Sequence, residues 1–271
     1  MSAPTEIETI SILGCGWYGF ALAKQLLDEG FKVKGSSTSD EKLSTLYEHG
    51  IEPYKVIFEP EKEAYDLQFF DCDVLIISIP PKRSSGEAAL YPEKIRKITE
   101  AACRHQVKRL IFISSTAVYG DCNMEVTEDN TPNPDTESGE AMLAAESIVR
   151  QKSTFLTTIV RFGGLIGPAR DPARFFAGKK DIPNGKAPVN LIHLEDCIGL
   201  TLEIVRKNTF GYTFNACCTD HPAKMDFYTK AAAKSGLAIP QFIDERTKWK
   251  IVSSSYLDAV VGYPMGTLDK S

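Results

Sequence analysis

The sequence predicts a doubly wound α/β fold: a parallel sheet covered by helices on both faces, with a smaller C-terminal lobe interleaved with it. Three observations carry this. Short β-branched runs alternate with helical-period segments from Thr9 to Phe162. Two of the runs, Asp73 to Ile79 and Leu110 to Ser114, are apolar without alternation, as parallel strands buried on both faces must be. The first run ends in a glycine-rich turn that opens a helix.

Thr9 to Leu13 reads as the first strand, and Phe20, Ala23, Leu26 and Leu27 follow at helical spacing until Gly30 closes the helix. Phe31 to Ser37 is a second strand, and Leu43, Leu46 and Tyr47 mark a short helix before Gly50. A weak third strand falls near Tyr54 to Phe58. The fourth, Asp73 to Ile79, is stopped by Pro80 and Pro81. Pro92 opens a helix carrying Ile95, Ile98 and Ala102, and Leu110 to Ser114 is a fifth strand. From there to Ser138 the chain reads as loop. A helix over about 139–150 and a sixth strand, Thr157 to Arg161, complete the alternation.

Beyond Phe162 the rhythm breaks into Gly, Pro and charged residues up to Pro188, then resumes with Val189 to His193 and a helix bearing Ile198, Leu202 and Val205. Tyr212 to Ala216 and Phe227 to Ala233 add a strand and a helix. The expected division is a nucleotide-binding domain over 1–162, with about 189–216 returning to it, and a small substrate lobe built from 163–188 and 217–271.

The chain has 271 residues, 43% of them hydrophobic and 25% charged, with 31 Lys and Arg against 36 Asp and Glu for a net charge of −5. That balance fits a folded globular chain and argues against nucleic acid or an anionic membrane surface as partner. The seven cysteines include no C-x-x-C pair and are odd in number, which suggests free thiols in a reducing, cytoplasmic setting rather than a zinc ribbon or a disulfide framework. The adjacent pair Cys217 and Cys218 reads as small hydrophobes near a strand end. No secretory leader or membrane-length apolar stretch is expected.

Gly14-Cys15-Gly16-Trp17-Tyr18-Gly19 is a G-x-G-x-x-G run placed between the first strand and the first helix. Glycines there tighten the turn, admit a pyrophosphate to the backbone and let helix pack on strand, while the first helical N–H groups face the anion. A carboxylate about 20 positions on would favour NAD by accepting from the ribose hydroxyls. This chain has Ser36, Ser37, Thr38 and Ser39 instead, with Asp40 and Glu41 close behind and no Arg at the strand end. NADP or NAD is the expected cofactor, with a slight lean to NADP. Expected contacts are the six residues of the run with Ser37, Thr38, Ile79, Pro80 and Ser114, and no metal.

Ser114-Ser115-Thr116-Ala117-Val118-Tyr119-Gly120 resembles the Ser-Ser-x-x-Val-Tyr-Gly stretch of extended short-chain dehydrogenases, the superfamily of nucleotide-sugar epimerases and dehydratases. Val160 to Pro168, Ile192 to Asp196, Tyr212 to Asn215 and Gly262-Tyr263 resemble further family segments in order, so the likeness covers essentially the whole chain. The resemblance implies a Rossmann-like fold, an NAD(P) cofactor and a small polar, sugar-derived substrate. It also implies a homodimer through the helices at about 92–105 and 139–150.

The family's Tyr-x-x-x-Lys pair is absent: Ser138 stands where its Tyr is expected and Met142 where its Lys is expected. The chain is therefore most similar to the atypical branch of the superfamily. Ser115 matches the substrate-orienting Ser, though it could equally cap a strand end. Tyr119 is a candidate substitute acid, although in the family this Tyr mainly shapes the pocket. Glu137 and Glu140 suit either bases or helix-dipole complements. His193 and Asp196 read as a structural motif, and Lys82 and Arg83 as an anion clamp or a solvated loop. Two functions stay open: an NAD(P)-dependent oxidoreductase or epimerase-like enzyme, and a non-catalytic NAD(P)-binding sensor or scaffold. A hydroxyacid-dehydrogenase-type reductase is a third, disfavoured by the loop-rich stretch from Phe162 to Pro188.

Overall fold

Strands that are apolar on both faces need helices on both, and the chain supplies them by winding in two directions from its first strand. A computed structural model describes residues 6–81 and 88–268. In chain order the elements are β1 (Thr9–Leu13), α1 (Trp17–Asp28), β2 (Lys32–Ser37), α2 (Asp40–Glu48), β3 (Glu52–Lys55), β4 (Ile57–Glu59), β5 (Lys62–Ala64), β6 (Val74–Ile77), α3 (Tyr91–Arg104), β7 (Arg109–Ser115), β8 (Met124–Val126), α4 (Glu137–Arg150), β9 (Leu156–Phe162), β10 (Gly164–Ile166), α5 (Ala173–Phe176), β11 (Leu191–His193), α6 (Leu194–Arg206), β12 (Thr213–Ala216), α7 (Lys224–Lys234) and β13 (Lys250–Val252).

Seven strands form one parallel sheet in the order β12-β9-β7-β6-β1-β2-β3. The pleat divides its side chains between two cores. Ile10, Ile12, Val74 and Ile76 pack under α1 and α6, whereas Leu75, Ile77, Leu110 and Phe112 pack under α3 and α4. Each fully buried Leu or Ile contributes roughly 1.5–3 kcal/mol, so the two faces together hold the sheet rigid. The winding reverses between β1 and β6, which opens a crevice beyond their carboxyl ends.

The structure departs from the sequence expectations where pairing is long-range. The stretch from Gly120 to Ser138, expected as loop, contains β8, which exists because β13 lies parallel to it. The expected strand Tyr54 to Phe58 is divided, with β3 on the main sheet and β4 in a hairpin with β5. Strand β11 starts at Leu191 and pairs with β10. Helix α4 begins at Glu137 because the Thr136 hydroxyl caps it, accepting from the Gly139 N–H at 3.2 Å. A separate small core gathers Ile166, Val189, Leu191 and Tyr228, with the Phe176 ring centroid 4.7 Å from that of Tyr228. Lys82 and Arg83 lie outside the described residues.

Candidate functional site

The turn after β1 is shaped by three close approaches. Gly14 has φ +102°, and a Cβ there would lie 2.6 Å from Ile79 Cγ2, so only glycine fits beside the end of β6. A Cβ on Gly19 would lie 2.3 Å from the Gly14 carbonyl oxygen, so α1 sits directly on the turn. At Gly16, by contrast, an added Cβ meets nothing within 4 Å, and the turn faces open space. The Gly14 N–H donates to Ser36 Oγ at 3.0 Å and the Cys15 N–H to the Ser36 carbonyl at 3.0 Å, tying the turn to β2.

Gly16 provides no side-chain cap, and the first turn of α1 carries no acidic residue. Its first N–H groups therefore have no partner within the helix and present a positive dipole end to the crevice. This is the donor set a pyrophosphate needs, and the bare Gly16 leaves it room, so the residues present fit a dinucleotide.

The crevice is a cleft of about 630 Å³, within the usual range for a cofactor site. Of the residues expected from sequence, Gly14, Cys15, Gly16, Ser37, Thr38, Ile79 and Pro80 line it together. Cys15 contributes backbone, because its thiol turns inward against Gly35 and burial pushes it up to about 12. Trp17, Tyr18, Gly19 and Ser114 lie off the lining. The Trp17 indole donates to the Pro168 carbonyl at 2.7 Å, Tyr18 shares a hydrogen bond with Thr201 Oγ1 at 2.7 Å in the core, and Ser114 donates to Glu146 Oε1 at 2.6 Å.

Sequence reasoning passed over three residues of the cleft. Lys42 of α2 and Lys94 of α3 line it, and neither has a hydrogen-bond or ion-pair partner among the described residues. Other charges nearby are committed: Lys55 holds Asp40 at 2.7 Å, Arg96 holds Glu93 at 3.1 Å, and Lys97 donates to the Glu59 and Pro60 carbonyls at 3.1 and 2.6 Å. Tyr91, the first residue of α3, is 3% exposed and donates to the Ile79 carbonyl at 2.7 Å. Its phenol, kept protonated by burial, steadies the segment that leads away from β6. A basic residue in the first turn of the helix after β2 was the available signal for Lys42.

The proposed proton-transfer residues are scattered. Ser115, at the end of β7, accepts from the Ala117 N–H at 3.1 Å and keeps its own proton to donate. Tyr119 is 2% exposed. Its hydroxyl accepts from Arg161 Nη1 at 2.5 Å and faces the Thr127 carbonyl at 2.9 Å and Asn215 Oδ1 at 3.1 Å. Burial raises its pKa against the opposing pull of Arg161. That placement is a structural joint, and it departs from the expectation of a proton donor at the mouth of a cleft. Arg161 is in turn clamped bidentately by Glu146, at 2.9 and 2.6 Å.

Met142 is 5% exposed with its sulfur 4.0 Å from the Tyr91 hydroxyl, so packing fills the position where the family Lys was expected. Ser138 is half-buried in the first turn of α4, and Glu137 and Glu140 are exposed beside it as dipole complements. His193 caps α6, its Nδ1 accepting from the Glu195 N–H at 3.3 Å, and Asp196 accepts from the Tyr263 hydroxyl at 3.2 Å.

Comparison with known proteins agrees with this geometry. A family model described as NAD(P)H-binding matches residues 14–191. Protein YeeZ of Escherichia coli (strain K12) is 36% identical over 262 residues, which cover 95% of each chain. The solved UDP-glucuronic acid 4-epimerase from Bacillus cereus in complex with NAD shares the fold at a TM-score of 0.76 and 20% identity, covering 95% of this chain and 93% of that one. A functionally unknown conserved protein from Silicibacter pomeroyi DSS does so at 0.72 and 21%, covering 94% and 92%.

Proposed function

Because the chain belongs to the NAD(P)H-binding family, with the fold of short-chain dehydrogenases and NAD-dependent epimerases, we propose that its cleft holds NADP(H) and serves an oxidoreductase or epimerase-like reaction. The substrate class we propose is a small, sugar-derived alcohol or carbonyl compound, in keeping with the UDP-sugar named for the Bacillus cereus structure. The observation that carries the cofactor reading is Lys42, uncommitted beside Ser37 and Thr38 at the end of β2, while Asp40 is neutralised by Lys55. A ribose 2′-phosphate there gains a cation and two hydroxyl donors and meets no free carboxylate on that strand end.

When bound, the cofactor supplies hydride transfer. The chain's part is to seat the pyrophosphate on the first turn of α1, admit it past Gly16 and offer the Ser115 hydroxyl to a substrate oxygen. All seven cysteines are free, which supports a reducing, cytoplasmic setting. Among the described residues no helix is long and apolar enough to cross a membrane. The homodimer that family likeness suggests would form across α3 and α4, which pack side by side.

A second reading, an NADP(H)-binding sensor that performs no turnover, draws on one observation: Met142 and Tyr119 are packed and hydrogen-bonded into the core rather than facing the cleft. Calorimetric titration with NAD⁺, NADH, NADP⁺ and NADPH, followed by Gly16→Asp, tests the shared part of both readings. NADPH is expected to bind best and to be lost in the variant, whose carboxylate repels the pyrophosphate. Failure of all four to bind refutes both. Turnover of a nucleotide sugar or small carbonyl, with loss of rate in Ser115→Ala, selects the enzyme.

A further inference from the structure

The second lobe reaches the glycine turn through a single side chain. Residues 167–170 form a tight reversal in which the Gly167 and Arg170 backbones bond reciprocally, at 3.3 and 2.9 Å, and Ala169 is held at φ +61°. This turn grips Trp17, the first residue of α1, in two ways. The Pro168 carbonyl accepts from the indole N–H at 2.7 Å, and the Arg170 guanidinium carbon lies 4.8 Å from the indole centroid.

Arg170 is exposed and has no ion-pair partner among the described residues. A guanidinium that stacks through its face keeps its in-plane N–H groups for a second ligand. The stack also draws a cation to the first residue of a helix, near the end where a carboxylate is the stabilising choice. The first turn of α1 contains no such carboxylate. An anion between the helix end and the guanidinium satisfies both positive groups at once.

We propose that Arg170 is a cofactor-binding residue, delivered from the second lobe and oriented by Trp17, that pairs with the pyrophosphate of NADP(H) opposite the first turn of α1. The proposal rests on the reading of the cleft as a dinucleotide site. It makes the phosphate site composite: one side is backbone from the glycine turn, the other a planar charge from the turn after β10. Trp17 is then a positioning residue, and its place in the glycine run is explained by a partner about 150 positions away in the chain.

The test is titration of wild type, Arg170→Ala, Arg170→Lys and Trp17→Leu with NADPH and with adenosine 2′-monophosphate, which lacks the pyrophosphate. Loss of one charge-assisted, partly exposed contact predicts about tenfold weaker NADPH binding in Arg170→Ala. Trp17→Leu is expected to weaken NADPH comparably, Arg170→Lys less, and none should change the affinity for adenosine 2′-monophosphate. The gap between wild type and Arg170→Ala should narrow near 1 M salt, where the Debye length is about 3 Å. Wild-type binding of NADPH matched by Arg170→Ala overturns the role of Arg170 and leaves the cofactor reading intact. Equal weakening of both ligands overturns it in favour of a structural role for the turn. A wild type that binds neither ligand overturns the cofactor reading itself, and the proposal with it.

Discussion

Replacing Glu146 by Ala should expose how much the fold depends on the polar joint beneath the second half of the sheet. Glu146 is 1% exposed and its carboxylate takes two hydrogen bonds from Arg161, at 2.9 and 2.6 Å, and one from Ser114 at 2.6 Å. Arg161 is itself 3% exposed and passes its remaining edge to the Tyr119 hydroxyl. Without Glu146 the guanidinium is a buried cation with no counter-ion, and water cannot reach it without opening α4 from β9. Breaking a pair of this kind costs about 3–5 kcal/mol. Against a usual total of about 5–15 kcal/mol that is a large fraction, and it corresponds to a fall in Tm of roughly 10 °C for a chain this long. Urea titration followed by circular dichroism, with thermal scans alongside, measures it. The double variant Glu146→Met with Arg161→Met removes both charges, and should recover much of the loss because apolar replacements of similar volume need no solvation. A loss below about 1 kcal/mol in Glu146→Ala, or a double variant no more stable than the single, would refute the assignment of this network as a desolvated ion pair.

Three further outcomes are expected. Gly19→Ala places a Cβ against the Gly14 carbonyl, where backbone meets backbone and neither yields easily; unfolding titrations should show a loss of about 1–3 kcal/mol, with NADPH binding weakened as the turn shifts. Lys42→Ala should weaken NADPH by about tenfold and leave NADH unchanged in parallel calorimetry, since only the 2′-phosphate is read there; equal effects on both would remove Lys42 from that role. Thiol titration at pH 8.5 should label exposed Cys122 in the native protein and spare Cys15 until denaturant is added. Burial raises the Cys15 pKa from 9.0 to about 12, so its contribution to stability is full below pH 9 and is lost as pH rises toward 12. Cys15→Ser should flatten that alkaline decline, read as Tm against pH.

The sequence by itself determined the sheet and the glycine turn, because both are written in short-range patterns. A strand that must be apolar on both faces shows it in four consecutive residues, as Val74–Ile77 does, and a turn that must admit a backbone beside Ile79 shows it in Gly14. The same local patterns revealed where α1, α3 and α6 run, since their buried faces recur at helical spacing. Tertiary structure alone decided what depends on groups far apart in the chain. Strand β8 exists only against β13, some 125 positions on, and Tyr119 became a joint rather than an acid because Arg161, Asn215 and the Thr127 carbonyl close around its hydroxyl. Trp17 looked like a filler position in the glycine run, yet Pro168 and Arg170 converge on it from the second lobe. Lys42 and Lys94 became a pair of uncommitted cations only when neighbouring charges were seen to be matched by Lys55, Arg96 and two carbonyl oxygens. Periodicity records which side of an element is buried. It carries no record of which charge across a cleft has already found its partner, because that is set by the docking of elements distant in sequence.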